Sequence, residues 1–417
     1  MRTNRRLLII SILLMISFLF SACGGNVPAT LSVPEQTSTP IIILDTPIVT
    51  VVPTFTPTLE AQPIAACKLQ SKAFTNVGLG FPKPLHKLPT FGTVKTIVLF
   101  ADFPDVPAIQ KPEDIFSLIS PQAEKFIHDL SYGRMEYVLE PYFVWLRLER
   151  PSSHYGDGIR TYGGHLEFIQ EAVNLADATV DFSEADSVLV MVPPQATAVG
   201  YGPAFGANPS DGYTADGKTF ENGVTSGADL PGWGFLWLNH ETGHSMSLSD
   251  LYAYEYDFSN YDDLHRFVGG FSLMGYIDGK APELFAFERW QLGWLDDEQI
   301  FCQQTGEETV TLSAIEIAGG VKAVMVPIDN AKGVLVESRR ALGYDKNILK
   351  SGALIYTVDT SIASGAGPIV VYPILENDPY RDQSPLAVGE SVTVEGVTIT
   401  VLESIEMSDT VQVTVDQ

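Results

Sequence analysis

The sequence predicts an α+β domain followed by an all-β domain, most simply a sandwich. Three observations carry this. Between about residues 92 and 300, apolar runs of strand length alternate with stretches of helical apolar spacing. From about residue 305 the helical spacing stops, and short apolar runs separated by Gly, Asp, Asn and Ser continue to the C-terminus. Between the two patterns, residues 235–252 predict a buried helix that carries His240-Glu241-Thr242-Gly243-His244 behind the apolar run Phe235-Leu236-Trp237-Leu238.

The N-terminus is set apart by composition. Arg2, Arg5 and Arg6 precede an apolar run from Leu7 to Phe20, and Ser21-Ala22 then precede Cys23. That order is a secretory leader over 1–22, excluded from the fold. Because it ends on cysteine it resembles a bacterial lipoprotein signal, which implies lipidation of Cys23 and a cell-surface location outside the cytoplasm, anchored to the membrane through that lipid alone. Residues 23–66 are rich in Pro, Thr, Val and Ser, with Thr-Pro steps at Thr39-Pro40, Thr46-Pro47 and Thr56-Pro57 that hold the backbone extended. They read as a tether. The folded part is expected to comprise a first domain over 67–300 and a sandwich over 301–417.

Composition narrows the partners. A hydrophobic content of 45% with 10% aromatics is enough for real cores. The net charge of −26, from 51 acidic and 25 basic residues, repels nucleic acid and anionic lipid headgroups. Beyond Cys23 only Cys67 and Cys302 remain. In an oxidising compartment two such cysteines often pair, so a Cys67–Cys302 disulfide is expected.

Within 67–300, Thr96 to Ala101 predicts a buried strand broken by Asp102-Phe103-Pro104-Asp105. Residues 112–131 have helical spacing, 135–148 predict a strand or hairpin, 162–178 a helix, and Ser187 to Val192 a second buried strand. Residues 196–232 are Gly-, Ala-, Pro- and Asp-rich without periodicity, and predict a long loop able to frame a cleft. Helical spacing returns over 281–292, just after Pro282. In the last domain, Val411, Val413 and Val415 alternate with Gln412 and Thr414, the pattern of a strand with one buried face.

On a helix, His240 and His244 lie one turn apart on one face, where two imidazoles can hold one zinc ion. Glu241 sits beside them without having to be a ligand and is free to act as general base on a zinc-bound water. A catalytic zinc needs a third protein ligand. Asp250, six residues after His244, is the preferred candidate; Glu283, Glu288, Glu255, Asp257 and His265 are the alternatives. The oxygen-rich segment Glu255 to Asp263 could bind calcium, although it has no ordered EF-hand spacing.

His240 to Asp250, followed by Ser272-Leu273-Met274-Gly275-Tyr276, resembles the metzincin metallopeptidases, and more narrowly the M6 (immune-inhibitor-A-like) family of secreted bacterial peptidases, whose third ligand is Asp. Leu99 to Asp105, Ser131 to Arg134 and Glu288 to Leu295 also look like that family, so the resemblance spans roughly residues 90–360. It implies a metzincin-like catalytic domain, a twisted sheet plus zinc helix, with zinc held by His240, His244 and Asp250 and with Glu241 as the base. Met274 would form an apolar floor beneath the metal, and the Tyr276 hydroxyl could stabilise the oxyanion. The chain departs from the family at Ser247, where the pattern has a glycine that lets the backbone leave the helix in a left-handed conformation. The function implied is a monomeric zinc endopeptidase acting on proteins or peptides outside the cell. The competing reading is a surface-tethered binding protein on an inactive peptidase fold.

Overall fold

The computed structural model describes residues 63–72 and 77–416. The leader, Cys23 and nearly all of the expected tether lie outside the described residues. Among the described residues, no helix is long and apolar enough to cross a membrane.

The architecture is mixed α/β, with several sheets and few helices. The first sheet takes shape around β1 (Gly92–Asp102), which pairs in parallel with β2 (Met135–Arg147) on one side and β3 (Ser187–Met191) on the other. Between β1 and β2 the chain forms α1 (Pro112–Phe116) and α2 (Gln122–Leu130). The single helix expected over 112–131 is therefore two, because Pro121 has no N–H to continue the first and stands directly before the second. Residues 135–147 form one strand, not a hairpin. After it come α3 (Ser152–Gly158) and α4 (Tyr162–Ala176), whose N-cap Thr161 accepts a hydrogen bond from the Gly164 amide.

The stretch 196–232, expected as a loop, holds four short strands: β4 (Ala204–Gly206), β5 (Tyr213–Ala215), β6 (Lys218–Phe220) and β7 (Asn222–Thr225). They are too short to show a period in sequence. Here β5 and β6 make a separate hairpin, while β7 joins the main sheet parallel to β3, and β4 closes it antiparallel, giving the order β2-β1-β3-β7-β4. Strand alternation then divides the core. Ile97, Leu99 and Ala101 of β1 pack with Phe168, Ile169 and Val173 of α4. Val98 and Phe100 face the other way, toward Phe126 and Ile127 of α2.

That second layer also holds α6 (Phe235–Ser245), reached through the short α5 (Leu230–Trp233), and α7 (Ala286–Gln291). Trp237, buried in α6, donates its indole N–H to the Gly202 carbonyl at 2.8 Å, tying the helix to the segment leading into β4.

Two further sheets follow. One has the order β13-β12-β11-β10-β8, from β8 (Ile300–Cys302), β10 (Ala323–Pro327), β11 (Lys332–Arg339), β12 (Gly352–Asp359) and β13 (Ile369–Tyr372). The other has the order β14-β15-β16-β9, from β9 (Gly306–Ser313), β14 (Ser391–Val394), β15 (Val397–Ile405) and β16 (Ser408–Val415). Val324, Val334, Val336 and Ile355 of the first pack against Leu312, Ile399, Val411 and Val413 of the second, as sandwich sheets do. The opposite face of the first sheet, with Met325, Leu335, Leu354 and Tyr356, shares a core with Phe285, Phe287 and the α6 region. A sheet buried on both faces needs apolar residues at successive positions, which is why β10 to β12 read as runs and β16 as an alternation.

Cys67 and Cys302 are disulfide-bonded, with Cα atoms 5.8 Å apart. Closing so long a loop restricts the unfolded chain by roughly 5 kcal/mol in the chain-entropy account.

Candidate metal centre

α6 ends where the chain must turn back. Met246 caps it, the Ser247 amide donates to the His244 carbonyl at 2.9 Å, and the Leu248 amide donates to the Gly243 carbonyl at 2.9 Å. This pair of bonds is the Schellman closure, which places the residue after the cap in the left-handed region. That residue is Ser247, at φ +89° and almost fully buried. This left-handed turn is thus made with serine, not glycine. Replacing Ser247 with glycine is expected to raise stability by roughly 0.5–1 kcal/mol, the relief of left-handed strain less the added freedom of the unfolded chain. Thermal unfolding of Ser247→Gly measures it; a lower midpoint would show that the serine hydroxyl matters more than the strain.

The turn brings Asp250 back over α6. Its Oδ1 lies 3.1 Å from His240 Nε2 and 3.3 Å from His244 Nε2. The two imidazole rings are nearly perpendicular, with centroids 4.8 Å apart. His240 Nδ1 is 3.0 Å from the Leu273 carbonyl and His244 Nδ1 is 2.8 Å from the Leu248 carbonyl. A carbonyl can only accept, so each neutral ring keeps its proton on Nδ1 and presents a lone pair at Nε2. Asp250 Oδ1 is buried without a hydrogen-bond donor. Two nitrogen lone pairs and an orphaned carboxylate oxygen therefore converge on one point, an arrangement that fits a cation. This trio is the one group of three metal-ligating side chains in range of one another among the described residues.

The electrostatics agree. Burial opposes charge on His244, but the Asp250 carboxylate more than offsets it and raises the imidazole to about 9. Burial likewise opposes charge on Asp250, yet the two imidazoles hold its carboxyl far below the usual range. A cation bound there would have to displace that proton, so its binding would tighten as pH rises. Glu241, next on the helix, is raised by burial, partly offset by the two imidazoles. Its Oε2 accepts the Ala204 amide of β4 at 2.7 Å, which fixes the carboxylate beside the trio.

Met274 lies fully buried beneath α6. A Cβ on Gly243 would stand 2.7 Å from its sulfur, so the glycine allows the close approach. The same turn supplies the Leu273 carbonyl to His240 and the Met274 carbonyl to the Leu251 amide at 2.9 Å. Its role is orientation as well as packing.

Tyr276 does not reach this cleft. Its ring stacks on His265 with centroids 4.0 Å apart and on Tyr380 at 6.0 Å, because the chain past Gly275 turns away beneath the loop carrying His265. The oxyanion role expected for it has no geometric basis. Tyr252 and Tyr254 line the cleft instead, which has a volume of about 500 Å³ and includes Ala204, Phe205 and His165 in its walls.

None of the alternative third ligands comes near. Glu283 is paired with Arg289, and Glu288 accepts from Ser272 Oγ and the Phe285 amide. The acidic segment at 255–263 forms no metal-ligating group: Asp257 caps Ser259, Asp263 pairs with Arg266, and Asp262 accepts from Tyr380.

His165, not foreseen from the sequence, is buried in α4 with Nε2 2.9 Å from Thr225 Oγ1. Burial lowers it to about 3. In the unfolded chain it titrates near 6.5. Its contribution to stability is therefore present above pH 6.5 and is lost as pH falls toward 3, by several kcal/mol in total. Urea unfolding between pH 7 and 4 should show this slope, and His165→Gln should flatten it. An unchanged slope in that variant would assign the acid sensitivity elsewhere.

No family model matches the sequence, and no curated protein matches it. Among solved structures, it is similar to metalloproteinase-II from Bacteroides fragilis, at 15% identity and a TM-score of 0.27 over 56% of this chain and 60% of that one. So faint a likeness carries no argument about fold or activity, and neither the metzincins nor the M6 family is established by it. The function has to be read from the residues of the site.

Proposed function

We propose that this protein is a zinc-dependent endopeptidase, exported and tethered through Cys23, acting on proteins or peptides outside the cell. The observation that carries it is the convergence of His240 Nε2, His244 Nε2 and Asp250 Oδ1 beside a buried carboxylate that is not part of the trio. A purely structural zinc site has four protein ligands and no use for a base next to it. Bound by these three groups, a zinc ion would act as a Lewis acid on the scissile carbonyl and acidify the attacking water.

The chain's own groups supply the rest. Glu241 takes the proton from the attacking water and returns it to the departing amine. Burial keeps its basicity above that of an ordinary carboxylate, while the Ala204 amide holds its orientation. The edge strand β4 pairs with β7 on one side only; on its other side the Ala204 amide is taken by Glu241, which leaves the Ala204 carbonyl and the Gly206 main chain on the cleft side. An extended peptide can pair there, a recognition mode that tolerates many sequences. The purified protein should digest casein or gelatin and lose that activity to a zinc chelator. A zinc-loaded protein that cleaves neither would overturn the reading.

A further inference from the structure

A histidine gives a metal one nitrogen, but a carboxylate can give one oxygen or two. Which of these Asp250 does decides whether a fourth position stays open for reaction. The two oxygens of Asp250 are treated differently by the fold. Oδ1 faces both imidazoles, while Oδ2 accepts the Tyr254 hydroxyl at 2.5 Å. The Tyr254 oxygen is 3.1 Å from Ser364 Oγ, and that same Oγ accepts the Asp250 amide at 2.8 Å. Since the phenolic proton is used on Oδ2, the proton between Tyr254 and Ser364 is the serine's. The result is a directed chain, Ser364 O–H to Tyr254 O–H to carboxylate, in which each bond strengthens the next.

The main chain locks these groups together. The Gly365 amide donates to the Asp250 carbonyl at 3.0 Å, and the Tyr254 amide donates to the Gly365 carbonyl at 2.9 Å. Gly365 has φ +73°, and a Cβ there would lie 2.2 Å from the Tyr254 ring, so only glycine lets the loop close on the tyrosine. Ser364 and Gly365 belong to the β12–β13 connection of the sandwich, more than a hundred residues beyond Asp250.

We propose that Tyr254, positioned by Ser364, holds Oδ2 of Asp250 away from the metal, so that the aspartate ligates through Oδ1 alone and the fourth position stays free. Tyr254 and Ser364 are positioning residues, and the β12–β13 loop is part of the metal centre. This clamp presupposes the metal-site reading under the proposed function.

Cobalt(II) alone is the probe, because its visible absorption weakens several-fold when a four-coordinate site becomes five-coordinate. The variants are Tyr254→Phe, which keeps the ring packed on Gly365, and Ser364→Ala, which removes the tyrosine's anchor together with the acceptor of the Asp250 amide. With Tyr254→Phe the released Oδ2 should join the metal. The cobalt bands should weaken, cobalt affinity should hold or increase, and casein hydrolysis by the zinc form should fall about 10- to 100-fold. Ser364→Ala should shift the spectrum in the same direction by less. Identical four-coordinate spectra in wild type and Tyr254→Phe would overturn the proposal, as would a fall in affinity at unchanged coordination, which marks a merely structural role. If the spectra change as stated but wild type cleaves no protein, the clamp stands and the endopeptidase reading fails. A chain that takes up no cobalt overturns both.

Discussion

Glu241→Gln is expected to lose proteolysis by a factor on the order of 10³, within the range general acid–base groups contribute, while keeping its metal and its melting temperature. The amide is nearly the same shape as the carboxylate. Its oxygen can still accept the Ala204 amide, which now meets Glu241 Oε2 at 2.7 Å. None of the three converging ligand atoms is touched. The amide cannot accept the proton from water, so only the chemical step suffers. Burial raises the Glu241 carboxyl, so the wild-type acid limb of activity should lie above the pH at which a free glutamate titrates. Metal content, thermal unfolding and hydrolysis are measured on the same preparation. A variant with wild-type kcat/KM would remove Glu241 from the mechanism and leave the trio as a binding site only.

Asp250→Ala is the second large effect. The substitution removes the one anionic ligand atom and leaves two neutral imidazoles 4.8 Å apart, too few groups to retain zinc against a chelator. It also strips Tyr254 of its acceptor, while the main-chain amide at position 250 can still donate to Ser364 Oγ. In wild type, zinc at a hundredfold excess over its dissociation constant should add about 2.7 kcal/mol of stability by mass action, seen as a higher melting temperature that the chelator abolishes. The variant's melting temperature should not respond to zinc. Full zinc occupancy after dialysis would mean that a different side chain completes the site, and none of Glu283, Glu288, Glu255, Asp257 or His265 is placed to do so.

Much of this centre was legible in the sequence because its spacing is local. Two histidines four residues apart must share a helix face, and an acid six residues further on must return if the helix is closed by a left-handed residue. Ser247 supplies that conformation at φ +89° without being glycine, since the Schellman bonds and burial hold it there. Helical and strand periods likewise carried the long elements. They failed for β4 and β7, where three or four residues cannot display a period; the place of Tyr276, expected from the resemblance, differs because its ring stacks on His265 instead.

What the sequence determined by itself, then, is the short-range part: the helix face shared by His240 and His244, Asp250 as the preferred third group, and the change from mixed to all-β patterning. The tertiary structure alone decided which main-chain amide orients Glu241, which tyrosine stands at the metal ligand, and which loop of the sandwich grips it. Ala204 and Ser364 reach the site through strand order and packing between distant segments, while Tyr254, close to Asp250 in sequence, is held there by the main chain of Gly365. The reason is physical. Local spacing reports dihedral periodicity, whereas a hydrogen bond across 114 residues depends on where two folded layers come to rest, and no short-range pattern records that.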